Sequence, residues 1–336
     1  MGPAHVPSAA GRIALLTLPG LESFLIGECR ALGVVTGAVG PGWVEAAADP
    51  AAVRDHAGTV RAVLEIAWTG PPAGLPARLP AAERLWFESQ WINRGADAAE
   101  IRQAVWRAAG RPEVLRAPAG APGLVGIVAP DGSVLIGTAL DWGLERRRPY
   151  RVALMARSLN PAMARALAMA GRARPGGTCC DPFCGSGTVL AERAMLAPGR
   201  LVGVDRDAEA VDAAARCLSG FVHAGGVSAD LRQGDARALD FLPPASVDAV
   251  CTNPPFGHRQ SRAADNAALY PAALREAVRV LRPGGRLAVL TADRRHLRSA
   301  LAACGPALRP RSEVSVWLGG LQPTLAVLDR TAVPPR

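Results

Sequence analysis

The sequence predicts an α/β protein. Its C-terminal half reads as a mostly parallel, doubly wound sheet with an antiparallel last strand, preceded by a smaller α+β region. Three observations predict this. From Thr178 onward, short apolar runs alternate with helical patterns, and such alternation builds parallel sheets through helical crossovers. The last two apolar runs, "EVSVWL" and "TLAVLD", are separated only by "GGLQP", too short for a crossover, so they pair antiparallel. The chain has 336 residues, 49% of them hydrophobic, enough for a sizeable core and more than one domain.

In chain order, "IALLTL" reads as a strand. "LESFLIGECRALG" reads as a helix with Leu21, Phe24, Leu25 and Cys29 or Glu28 near one face, ended by Gly33. "GWVEAAA" and "RAVLEIAWT" are further strands, and "GPPAGLPARLP", residues 70–80, is a Pro/Gly-rich linker. A helix "DAAEIRQAVWRAAG" follows, then a hairpin "GLVGIVAPDGSVLIGTAL" turning at Asp131-Gly132. Arg146, Arg147, Arg148, Arg151 and Arg157 cluster before the second half. That half runs "TCCD", a helix from about Gly187, "LVGVD", a helix from about Ala208, "LRQGD" and "VDAVCT". It continues with a helix from about Leu269, "RLAVLT", a helix from about His296, and the two closing strands.

Composition removes several functions. The net charge is +9, which favours polyanionic partners, and all 38 basic residues are arginine. With no lysine, P-loop and Schiff-base chemistry are excluded, whereas arginine suits bidentate phosphate contacts. The seven cysteines are odd in number, form no C-x-x-C pair and lack zinc spacing, so no metal site is expected and a reducing cytoplasm fits. Neither a basic leader nor an apolar run of membrane-spanning length is evident, so no membrane partner is expected.

The chemistry lies in "CDPFCGSGTVLAER". A strand ends on Asp181, and a tight turn with Gly185 and Gly187 leads into a helix whose N-terminus favours a negative group. The next strand ends on Asp205, where an acid reaches ribose hydroxyls in nucleotide-binding folds, and the one after it ends on "GD", with Asp235. Three acids at consecutive strand ends mark the ligand-binding edge of such a sheet. A nicotinamide enzyme would need a third glycine at position 190, which is Leu190.

The strand "VDAVCT" then stops on Asn253-Pro254-Pro255-Phe256. The prolines lack N–H groups, and the residue before a proline is held extended. The side-chain oxygen of Asn253 and the Pro254 carbonyl therefore form a rigid pair of acceptors. Two acceptors match the two hydrogens of an exocyclic amine. Gripping both frees a lone pair otherwise delocalised into the ring, and Phe256 offers a face on which a base can stack.

At these residues the sequence resembles the Rossmann-like S-adenosylmethionine-dependent methyltransferases, and more narrowly the THUMP-associated tRNA guanine-N2 methyltransferases. The resemblance is carried by "DPFCGSGTVLAE", "VGVDRDAEAV", "GDARAL", "VDAVCTNPPFG", "LYPAALREAVRVLRPGGRLAVLT" and "VWLGGLQPTLAVLD", over about residues 150–330. It implies that Asp181, Phe183, Gly185 and Gly187 line the methionine end of S-adenosylmethionine, that Asp205 binds the ribose, and that Asp235 and Ala236 meet the adenine. Asn253, Pro254, Pro255 and Phe256 then hold the target base, and the segment from Arg157, with Asn160 and Pro161, packs over the cofactor.

"TLPGLESFLIGECRALG" resembles the N-terminal ferredoxin-like domain of these enzymes and "ERRRPYRV" the end of their THUMP domain. The implied domains are a ferredoxin-like 1–70, a reduced THUMP-like RNA-binding region 71–152 and a methyltransferase domain 153–336. Arg146, Arg147, Arg148 and Arg151 are the implied phosphate contacts. The expected function is cytoplasmic methylation of a guanine N2 amine in tRNA, by a protein taken as a monomer. Other amino-methyltransferases remain open: adenine-N6 of DNA or rRNA, guanine-N2 of rRNA, glutamine amide of a protein. So does an RNA-binding protein without catalysis.

Overall fold

The computed structural model describes residues 12–80, 82, 84–87, 96–114, 123–128, 133–153, 155–156, 158–256, 263–317 and 321–332. The chain forms two compact units, one ending at Glu145 and one beginning at Arg146.

In the first unit, β1 (Arg12–Leu16), α1 (Glu22–Ala31), β2 (Val35–Gly40), β3 (Trp43–Ala47), α2 (Pro50–His56) and β4 (Ala62–Gly70) follow one another as β-α-β-β-α-β. Their strands lie in the order β2-β3-β1-β4, the split βαβ arrangement. β5 (Arg84–Phe87), α3 (Ala96–Ala108), β6 (Glu113–Val114), β7 (Leu124–Val128) and β8 (Val134–Trp142) complete the unit. β8 pairs antiparallel with β4 from Ala62↔Trp142 to Gly70↔Val134, so residues on both sides of the 70–80 linker share one sheet. β7 and β8 pair as a hairpin; the expected Asp131-Gly132 turn lies outside the described residues. Both Cys29 and Glu28 of α1 are buried. Glu28 has a structural task, accepting hydrogen bonds from the Gly58 and Thr59 amides at 2.8 Å each.

The second unit contains α4 (Pro161–Ala170), β9 (Gly177–Asp181), α5 (Thr188–Leu196), β10 (Gly199–Asp205), α6 (Ala208–His223), β11 (Val227–Gln233) and β12 (Val247–Thr252). α7 (Ala263–Val280), β13 (Leu281–Thr291), α8 (Arg294–Ala303), β14 (Leu308–Ser315) and β15 (Thr324–Arg330) follow. The sheet order is β11-β10-β9-β12-β13-β15-β14, and only β15 runs antiparallel to its neighbours. The central strands are covered on both faces, and Cys179, Cys180, Val250 and Cys251 are fully enclosed. These cysteines act as small apolar side chains.

Four elements start four or more residues earlier than the sequence pattern suggests, β11 at Val227 among them. α7 begins at Ala263 and carries Pro271 inside it, where a proline reads more naturally as a helix start. β13 begins at Leu281, ahead of its Pro283-Gly284-Gly285 stretch. β14 begins at Leu308 because it is an edge strand, where Pro310 is tolerated at a shift of register.

From β9 the chain steps outward through β10 to β11, then returns to place β12 on the other side of β9. The carboxyl ends of β9 and β12 thus flank the switch point, the crevice where open α/β sheets bind ligands. Among the described residues no helix is long and apolar enough to cross a membrane.

Candidate active site

Asp181 ends β9 and is 1% exposed. Its Oδ1 accepts hydrogen bonds from the Phe183 amide at 3.1 Å and from Thr252 Oγ1 at 2.7 Å. Thr252 is the last residue of β12, so this bond joins the two strand ends at the switch point. Among the described residues Asp181 has no ion-pair partner. Burial pushes its carboxyl up to about 7, against the pull of the Thr252 and Phe183 hydrogen bonds; the nearby Asp205 adds to the rise.

The glycine turn follows. Gly185 and Gly187 sit at φ +50° and +76°, left-handed conformations that glycine adopts without strain. A Cβ at Gly187 would lie 3.0 Å from that of Ala214, while at Gly185 it would meet nothing within 4 Å. The turn thus packs closely on α6 at one end and faces open space at the other. Asp205, at the end of β10, holds it from the side. Its Oδ2 accepts from the Gly185 amide at 2.9 Å and its Oδ1 from the Asp207 amide at 3.0 Å. Each oxygen keeps a second lone pair. Ser158 Oγ lies 2.7 Å from Ser186 Oγ and ties the segment before α4 to the turn. Asn160 caps α4 by accepting from the Ala162 amide, and Pro161 is the first residue of that helix; both have structural tasks there.

Asp235 follows β11. Arg237 holds its carboxyl below the usual range, with its guanidinium at 2.6 Å and its amide at 2.9 Å, while Ala236 beside it is buried. A buried carboxylate without a cation, an open glycine turn and strand-end acids fit a ligand with an ammonium group at one end and hydroxyls farther along. The residues expected at the cofactor are therefore gathered at one edge of one sheet. Phe183 differs in direction, since its side chain packs against the apolar core.

The Asn253–Phe256 corner begins where β12 ends. The Oδ1 atom of Asn253 is buried and, among the described residues, has no hydrogen-bond partner. A buried amide oxygen is unfavourable without a donor, so this one is an acceptor available to a donor from outside the described residues. Behind Asn253, Pro254 is buried. The Pro255 carbonyl accepts from Asn266 Nδ2 and from Tyr270 Oη, each at 3.1 Å. Tyr270 Oη lies 2.7 Å from Thr291 Oγ1, and Asn266 Nδ2 lies 2.9 Å from Asp293 Oδ2. Sequence reasoning missed these four residues because they are far along the chain from the corner. The available signal was two polar side chains at i, i+4 on the otherwise apolar face of α7. His258 lies outside the described residues.

The arginines expected at phosphates divide. Arg146 and Arg147 are exposed and Arg151 is half-buried. Arg148 requires a correction. Its side chain is 9% exposed and its Nε lies 3.0 Å from Oε1 of the fully enclosed Glu192. Tyr150 Oη donates to the same oxygen at 2.6 Å, and Arg165 lies 3.7 Å from Glu192 Oε2. Arg148 is thus part of an internal ion cluster on α5, because a carboxylate enclosed there needs a cation. Arg157 lies outside the described residues.

Residues 148–324 match the family UPF0020: RMKL-like, methyltransferase domain. The chain is 35% identical over 235 residues to a tRNA (guanine(6)-N2)-methyltransferase of Thermus thermophilus, covering 68% of this chain and 66% of that one. It is 35% identical over 170 residues to the mouse tRNA (guanine(6)-N(2))-methyltransferase THUMP3, covering 47% of this chain and 34% of that one. The matched part thus spans about a third of the mouse protein and just under two thirds of the bacterial one. The crystal structure of TrmN from Thermus thermophilus superimposes with a TM-score of 0.67 and 26% identity, over 95% of this chain and 99% of that one.

Proposed function

Since this chain belongs to the RMKL-like methyltransferase-domain family, with the Rossmann-like fold of an S-adenosylmethionine-dependent methyltransferase, we propose that it methylates the exocyclic N2 amine of a guanine in tRNA. The observation that carries the reading is the buried Oδ1 of Asn253 at the switch point, without a partner among the described residues. Relatives named as tRNA guanine-N2 methyltransferases support the choice of substrate.

S-adenosylmethionine, when bound, supplies a methyl group already activated on a sulfonium. Asp181, Gly185 and Gly187, with only the backbone of Phe183 between them, would hold its methionine end, and Asp181 would gain the cation it lacks in its buried setting. Asp205 offers its remaining lone pairs to the ribose hydroxyls, and Asp235 with Ala236 meets the adenine. At the other side, Asn253 Oδ1 and the Pro254 carbonyl accept the two amine hydrogens. That grip would localise the nitrogen lone pair and orient the amine, so the protein contributes orientation and polar stabilisation. Phe256 stacks on the base, which has left its helix to enter the site. Arg146, Arg147 and Arg151 contact RNA phosphates, and the unit before Arg146 provides further RNA-binding surface.

The test is Asn253→Ala, assayed for methyl transfer and, by calorimetry, for S-adenosylmethionine binding. The expected result is a loss of about a hundredfold or more in kcat with cofactor affinity retained. Undiminished transfer would remove the amine-gripping role.

A further inference from the structure

We propose that Tyr270 and Asn266 are positioning residues of this site, holding the Asn253–Phe256 corner through the Pro255 carbonyl so that its acceptors face the amine. The proposal rests on the amine-gripping reading above.

The corner cannot anchor itself through its prolines. Neither Pro254 nor Pro255 has an N–H, so at these positions only carbonyls can hold it. The Pro255 carbonyl takes two donors, Asn266 Nδ2 and Tyr270 Oη, each at 3.1 Å, which uses both of its lone pairs. Asn266 is fully enclosed and Tyr270 is 3% exposed, so water does not compete for these bonds.

The direction of the chain of bonds is fixed. Tyr270 has one hydroxyl hydrogen, and Pro255 offers only an acceptor, so the tyrosine donates to Pro255. Thr291 Oγ1 then donates to Tyr270, and accepts in turn from the Asp293 amide at 2.9 Å. The second hydrogen of Asn266 Nδ2 goes to Asp293 Oδ2, and the same carboxylate caps α8 through the His296 amide. Both branches therefore end on Asp293, where β13 gives way to α8.

Packing does not replace this clamp. A cavity of about 20 Å³ lies behind Pro254, bounded in part by Phe183, Thr252 and Tyr270. Atoms facing a void lose their dispersion partners on that side. Apolar packing behind Pro254 is thus incomplete, and hydrogen bonds to Pro255 hold the corner. A shift of about 1 Å in an orienting group costs on the order of a hundredfold in rate.

The test uses Tyr270→Phe and Thr291→Val, which keep side-chain shape, Asn266→Ala, the double variant Tyr270→Phe/Asn266→Ala, and Asn253→Ala as reference. Methyl transfer to unmodified tRNA gives kcat and KM, calorimetry gives S-adenosylmethionine affinity, and melting gives Tm. Hydrogen exchange at the Phe256 amide reports on the corner without substrate. Tyr270→Phe is expected to lower kcat about fivefold to tenfold, with KM and cofactor affinity unchanged and Tm lowered by only a few degrees. The double variant is expected to lose more than the product of its single losses, since one donor partly covers for the other, and to exchange faster at Phe256. Wild-type kcat and exchange in the double variant, with Asn253→Ala inactive, would overturn the positioning role and leave the grip standing. A fall in kcat that tracks Tm and cofactor affinity would reduce these residues to structural ones. Full activity in Asn253→Ala would remove the grip and this proposal with it.

Discussion

The enclosed carboxylate of Asp181 has two consequences of opposite sign. Burial raises it to about 7, above the roughly 3.9 of an aspartate in an unfolded chain. Its contribution therefore favours the folded state fully below about pH 4 and is lost as pH rises through about 7. Asparagine at this position still accepts from Thr252 and Phe183 but cannot ionise. Asp181→Asn is expected to raise the melting temperature of the ligand-free protein at pH 8 more than at pH 5. The same change removes the anion for the methionine ammonium, so calorimetry should show cofactor binding sharply weakened. In the unaltered protein, a group that must be ionised to bind a cation makes affinity fall as pH drops below about 7. Titrations at pH 6 and pH 8 check this: equal affinity, or tighter binding at pH 6, would take Asp181 away from the ammonium.

At the level of elements, the strand–turn–helix units carry the site. Gly187 joins β9 to α5 at φ +76°, with Ala214 3.0 Å from where a Cβ would stand. Gly187→Ala should cost about 1–2 kcal/mol from the left-handed backbone alone, more with the contact on α6, and should weaken cofactor binding; chemical denaturation measures the first. Glu192 on α5 binds the segment before α4 through Arg148 and Tyr150, and α4 itself through Arg165. Glu192→Ala leaves two poorly exposed guanidinium groups without their carboxylate, which should cost about 3–5 kcal/mol in the same measurement. This part of the molecule was unevenly legible. The order of strands and helices in the second unit, and the alignment of Asp181, Asp205 and Asn253 on one edge, follow from periodicity and strand-end residues. The ion cluster did not, because "ERRRPY" reads equally as a surface run and Glu192 reads as one polar position on a helix. Nor did β2, α2 and β5, whose short or weakly apolar segments carry no clear period; only their pairing to stronger neighbours defines them.

For the whole molecule, the net charge of +9 from arginine alone suits a polyanion, and the exposed Arg146 and Arg147 stand in the segment that opens the methyltransferase unit. Replacing Arg146 and Arg147 by Gln should weaken tRNA binding and flatten its dependence on salt, as phosphate contacts release counterions; an unchanged slope would return them to plain surface. Arg148→Gln should instead act on stability, since its partner is internal. The pattern of the sheet was open to reading because a parallel sheet must alternate with helices. The choice among amine-bearing substrates was not, because every such amine would present the same two hydrogens to the proposed acceptors Asn253 and Pro254. That choice is the central claim, and one measurement meets it directly. Purified protein is incubated with methyl-labelled S-adenosylmethionine and unmodified tRNA, with rRNA, DNA and a protein extract in parallel, and the digested products are identified by mass spectrometry. The account predicts label in N2-methylguanosine from tRNA; label in N6-methyladenine or methylglutamine instead would contradict it.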